Sequence, residues 1–183
     1  MGLTLAKWTL DEYQRMIEVG LLDERRVELL NGEIVEMSPE GEPHAYYRME
    51  TKDYLTRLLE GRAVIREAAP IIIPQNNSEP EPDLAIVEPL GREYLQHHPY
   101  PENIFWLIEF SNTSLEKDLT VKRKTYAAAG IREYWIRDLQ NEQLKVFRDP
   151  TAGDYTSEMT LTTGKISPVA FPDVIVSVER LFY

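Results

Sequence analysis

Glu109 is the residue least suited to its neighbours. It sits between the apolar run Ile104–Ile108 and Phe110. A carboxylate at the end of a core strand is costly to desolvate unless it is paired, bound to metal or open to a cleft. Asp83 poses the same question, because it follows Glu81-Pro82 and opens Leu84-Ala85-Ile86-Val87. Side chains alternate along a strand, so Asp83 shares a face with Ala85 and Val87, and Glu109 with Leu107 and Ser111. If the two strands are neighbours, the two carboxylates converge. They then repel each other unless a divalent cation lies between them, and oxygen ligands of this kind suit Mg²⁺ or Mn²⁺. A structural reading competes: each carboxylate satisfies an arginine, a lysine or a helix N-terminus, which is the commoner fate of an isolated pair. The third component is a lysine. Lys122, Arg123 and Lys124 follow Glu109 on a helical segment, with Asp118 four residues before Lys122 and Tyr126 four after. For Lys122 alone, a solvated pair with Asp118 is the ordinary outcome. Aimed at the carboxylates instead, it stabilises anionic charge and positions an attacking water.

These residues need a scaffold, and the chain has the signals for one. Thr9 and Glu12 form a capping-box pair ahead of a helix with Leu10, Tyr13 and Ile17 on one face, ended by Gly20. Asn31-Gly32 between Val27–Leu30 and Glu33–Met37 is a hairpin signal, because both turn residues need positive φ. Pro43 and His44 open a second helix that runs to Glu60 and stops at Gly61. Short strands are expected at Ala63–Glu67, at Pro70–Pro74 with its Ile71-Ile72-Ile73 run, and at Asp83–Val87. Asn103–Phe110 is almost wholly apolar, as in a central strand buried on both faces. A helix is expected over Asp118–Ala129, then a hairpin of Glu133–Asp138 and Gln143–Arg148. One or two more strands and an apolar segment, Val174–Tyr183, follow. This order predicts a single domain over 1–183, an α/β (α+β) fold with a mixed central sheet flanked by helices.

Composition narrows the function. The 183 residues carry a formal charge of −11 and no cysteine, which excludes disulfides and thiolate zinc sites. No apolar run is long enough for a membrane helix, and Met1–Lys7 lacks the regions of a signal peptide, so no membrane role and a cytoplasmic location are expected. Residues 1–60 hold 13 acidic and 7 basic side chains, whereas residues 102–148 hold 7 and 8. Bulk charge therefore opposes non-specific binding to nucleic acid, but the charge around Glu109 is balanced. Trp106, Tyr134 and Trp135 lie in apolar strands and read as core rather than as a base-stacking platform. His97-His98 lies in a polar loop and reads as surface. Serine-hydrolase, phosphate-loop and dinucleotide motifs are absent.

Pro82-Asp83, Glu109 and a nearby lysine resemble the PD-(D/E)XK nuclease superfamily, although Ser111 stands where the short motif has lysine. A longer pattern resembles the bacterial Uma-type restriction-endonuclease family, a branch of that superfamily. It runs through Val27–Ile34, Met37-Ser38-Pro39, His44, Glu81–Leu84, Glu109-Phe110-Ser111, Asp118, Lys122, Tyr126, Gly130 and Glu133–Asp138. The resemblance implies a restriction-endonuclease-like fold and a Mg²⁺- or Mn²⁺-dependent endonuclease acting on DNA, often as a homodimer. It implies Asp83 and Glu109 as catalytic metal ligands, with the Phe110 carbonyl beside them, and Lys122 as the catalytic lysine, moved from strand to helix, with Lys124 as a substitute. Lys122 would orient or deprotonate the attacking water. Glu28 matches a further acidic position and would hold metal through water, or is a plain hairpin carboxylate. His44 would touch a phosphate or cap the second helix, and Ser111 would hydrogen-bond Glu109. The displaced lysine and the acidic charge keep an alternative open: a catalytically silent nuclease fold serving as an oligomeric binding or regulatory module.

Overall fold

The computed structural model describes residues 5–182. Of the Met1–Lys7 segment the first four residues, and of Val174–Tyr183 the last, lie outside that range. Helix α1 (Leu10–Glu18) has the capping box: Glu12 N–H donates to Thr9 Oγ1, and Thr9 N–H donates to Glu12 Oε2 at 2.8 Å. Strands β1 (Val27–Leu30) and β2 (Glu33–Glu36) form the hairpin, with φ of 53° at Asn31 and 78° at Gly32. Helix α2 (Glu42–Leu59) follows from an N-cap at Gly41, then β3 (Val64–Glu67), β4 (Leu84–Val87) and β5 (Ile104–Ser111). After β5 a helical crossover runs through α3 (Leu115–Lys117), a π-helical turn (Asp118–Lys122) and α4 (Arg123–Ala128). The remaining strands are β6 (Glu133–Asp138), β7 (Gln143–Thr151), β8 (Asp154–Leu161) and the short β9 (Lys165–Ile166) and β10 (Val176–Ser177). Among the described residues no helix is long and apolar enough to cross a membrane.

The central sheet has six strands in the order β3-β4-β5-β6-β7-β8. Only β5 and β6 are parallel. Parallel neighbours need a crossover of a dozen or more residues, so the chain leaving β5 must return over the sheet as a helix. That return lays α4 on the face carrying Ala85, Leu107, Tyr134 and Ile136. The opposite face carries Leu84, Trp106, Ile108, Phe110 and Trp135. It is covered by Leu55 and Leu59 of α2 and by Val174, Val176, Val178, Leu181 and Phe182. The apolar C-terminal segment therefore closes the sheet. Trp106, Tyr134 and Trp135 are fully buried, as core.

Two expected strands differ. Ile71–Ile73 is buried and extended but joins no ladder. Its amides donate to Pro80 O, Pro99 O and Ser78 O in turn, and its one β contact is an isolated antiparallel bridge from Ile73 to Ser78. A 3-10 turn at Pro74–Asn76 follows. Asp83 stands just before β4 rather than opening it.

Candidate active site

The antiparallel register Leu84↔Ile108 places Asp83 beside Glu109 at the end of adjacent strands. Two backbone contacts tie them. Phe110 N–H donates to Asp83 Oδ2 at 2.7 Å, and Asp83 N–H lies 3.4 Å from Glu109 Oε2. Both carboxylates line a cleft of about 280 Å³, together with Arg26, Glu40, His44 and Lys117.

Lys122 reaches Glu109 from the helical crossover. Its Nζ lies 2.9 Å from Glu109 Oε1 and 3.3 Å from Glu28 Oε2, and its side chain is only 3% exposed. Tyr126 Oη donates to the same Glu109 oxygen at 3.0 Å. Lys122 does not pair with Asp118. Asp118 Oδ2 instead accepts from Ser111 Oγ and Ser114 Oγ, both at 2.7 Å. Ser111 thus holds the start of the π turn rather than Glu109. π turns often mark functional sites, and this one ends at Lys122. Lys124, two residues on, is exposed.

Glu28 is held between two lysines. It is fully buried, and both of its oxygens are used. Oε1 accepts from Lys117 Nζ at 2.9 Å, while Oε2 accepts from Glu81 N–H and faces Lys122. The hairpin is fastened there by reciprocal backbone bonds between Leu29 and Glu79, and by Asn31 Nδ2 donating to Thr125 Oγ1. The result is an alternating row of charges: Lys117, Glu28, Lys122, Glu109.

His44 does not cap α2, whose N-cap is Gly41 without a side-chain bond. It sits within the first turn, with Nε2 2.8 Å from Asp83 Oδ2 and Nδ1 3.9 Å from Glu40 Oε2. Arg48 closes this side, 2.6 Å from Glu40 and 3.9 Å from Asp83 Oδ1. His97 and His98 are half-buried rather than surface residues. His97 stacks on Tyr100, and Arg66 Nη2 lies 2.9 Å from His98 Nδ1.

Electrostatics follow from burial. Desolvation, with the charges of Asp83, Asp118 and Glu28, outweighs Lys122 and pushes the Glu109 carboxyl well above the usual range. Burial alone would pull the Lys122 ammonium down, but Glu109 and Glu28 outweigh it and hold it well above its ordinary value. Lys122 is therefore held as a cation facing Glu109 and Glu28. Burial also opposes charge on Asp83, yet the bonds from His44 and Phe110 keep its carboxyl below the ordinary value.

The donor set fits a divalent cation. Among the described residues, Asp83 Oδ1 has only the distant Arg48, and Glu109 Oε2 only the long contact from Asp83 N–H. Each thus keeps an oxygen for a metal, as hard cations require. Glu40, His44 and Asp83 form a second such group, with ligand atoms within 4.8 Å of one another. Sequence reasoning missed Glu40 and Arg48. Glu40 and His44, four apart across the start of α2, carried the only spacing signal.

The solved structures include a protein from Anabaena variabilis ATCC 29413 described as "a putative nuclease belonging to DUF820". It superposes with a TM-score of 0.73 at 15% identity, over 95% of this chain and 97% of that one. The two proteins share a fold. No curated protein matches the sequence. The family model Uma2, described as "Putative restriction endonuclease", matches residues 10–179, and the chain belongs to that family.

Proposed function

We propose that the chain, as one domain over 1–183, is a divalent-metal-dependent endonuclease that hydrolyses phosphodiester bonds in DNA. The observation that carries this reading is the meeting of Asp83, Glu109 and the buried Lys122 ammonium at one cleft. Family membership supports the nuclease class. Asp83 and Glu109 are the residues that would hold Mg²⁺ or Mn²⁺, which when bound acidifies a water and offsets phosphate charge.

The chain's own residues supply the rest. Lys122 keeps its proton, donates toward the attacking oxygen and balances charge developing on the phosphate. Tyr126 and Glu28 hold that ammonium and Glu109 in place. His44 and the Phe110 amide fix Asp83 so that one oxygen faces the cleft. A homodimer would address both strands of a duplex, and sedimentation velocity checks it.

The test is nicking of supercoiled plasmid with Mg²⁺ and with EDTA. Wild type should nick only with the metal, and Asp83→Ala and Lys122→Ala should lose the activity while remaining folded. Activity untouched by either change overturns the site assignment.

A further inference from the structure

Lys117 is the cation that the catalytic reading leaves unused. Its Nζ donates to Glu28 Oε1 at 2.9 Å, and Glu28 is fully buried. An ammonium has three donors, and among the described residues only one is taken. Unlike Lys122, Lys117 is open to solvent: its side chain is 24% exposed and lines the same cleft as Asp83 and Glu109. Arg26 lines the cleft too, with its side chain about half exposed and a loose 3.6 Å contact to Glu40. Two reachable cations and the buried ammonium of Lys122 thus share one cleft with the carboxylates.

We infer that Lys117 is a substrate-binding residue that contacts a backbone phosphate next to the reacting one, held ready by its bond to Glu28. The inference rests on the nuclease reading and adds the phosphate subsite to it. Lysine serves phosphate as a point charge and reads no base, so its contribution is independent of sequence. The anchoring matters because a lysine already fixed at one end loses less side-chain freedom on binding. Since Glu28 also faces Lys122, the subsite and the hydrolytic centre share one buried carboxylate.

The test is fluorescence anisotropy with a short fluorescein-labelled DNA duplex, with Ca²⁺ replacing Mg²⁺ and salt varied. Lys117→Met should weaken binding about ten- to a hundredfold at low salt. It should also reduce the slope of log affinity against log salt by about 1. Lys117→Arg should keep most of the affinity. If Lys117→Met does not fold by circular dichroism, Lys117→Gln, which still carries a donor for Glu28, takes its place with the same expectation. A folded variant with wild-type affinity and slope overturns the inference and leaves the nuclease reading standing. A wild type that neither binds nor nicks DNA overturns both.

Discussion

Replacing Lys122 by methionine keeps the length of the side chain and removes its charge. The wild-type ammonium lies 2.9 Å from Glu109 and 3.3 Å from Glu28, with all three side chains almost without solvent. At an effective dielectric of ~20, those contacts are about 6 and about 5 kcal/mol of gross attraction. The desolvation of three ions and the repulsion between the two carboxylates offset most of it. What the variant loses is the compensation for carboxylates left behind, and breaking a buried pair costs about 3–5 kcal/mol. Against a total stability of about 5–15 kcal/mol, that is a large fraction. Urea unfolding followed by tryptophan fluorescence reads the difference. The cost should shrink when Glu109→Gln is added, because one stranded charge disappears, and a coupling of about 0.5–3 kcal/mol is the expected signature of direct contact. A Lys122→Met variant within ~0.5 kcal/mol of wild type, or strict additivity in the double variant, refutes the buried ion row.

Gly32→Ala should cost about 1–2 kcal/mol from backbone conformation alone, since φ is 78° there. The added Cβ would also stand 2.9 Å from Lys7 Cβ and 3.0 Å from Trp8 O, so thermal melts should fall further than that. Glu133 is fully buried and accepts from Trp135 Nε1, Arg148 Nε and Val169 N–H. Glu133→Ala should cost about 3 kcal/mol or more in urea unfolding. At Asp138 burial disfavours the charge, but hydrogen bonds from Asn141, Gln143 and Gln140 outweigh it and lower the carboxyl pKa. Its contribution is complete above 3.8, the ordinary value, and is lost as pH falls through the lower folded value. The stability gap between wild type and Asp138→Asn should therefore narrow in acid, and a gap that widens contradicts the assignment.

Much of this was legible in the chain. The capping box at Thr9 and the Asn31-Gly32 turn are local signals, and local signals specify local structure. Glu109 was visible because a carboxylate in an apolar strand needs a reason, and alternation then put Asp83 on a compatible face. Partner identity was not legible. Glu28 and Lys117 meet across 89 residues, a contact set by how the hairpin docks rather than by spacing. For Lys122 taken alone, an α-helical period also allowed a surface pair with Asp118. The π turn widens that segment, and the serines at 111 and 114 take Asp118 instead. Three consecutive isoleucines at 71–73 satisfy a buried strand and a buried extended loop equally well. Only the destination of their amides separates the two.

The central claim is that Asp83, Glu109 and Lys122 act as one hydrolytic unit. Single-turnover cleavage of a labelled DNA duplex at saturating Mn²⁺ tests it most directly, using Asp83→Asn, Lys122→Met and the two combined, each shown to be folded. Groups that act together lose activity non-additively. Each single variant should therefore fall by about 10² or more, and the double variant no further than the worse single. A double variant whose loss is the product of the two, or a single variant that cleaves at the wild-type rate, would contradict the claim.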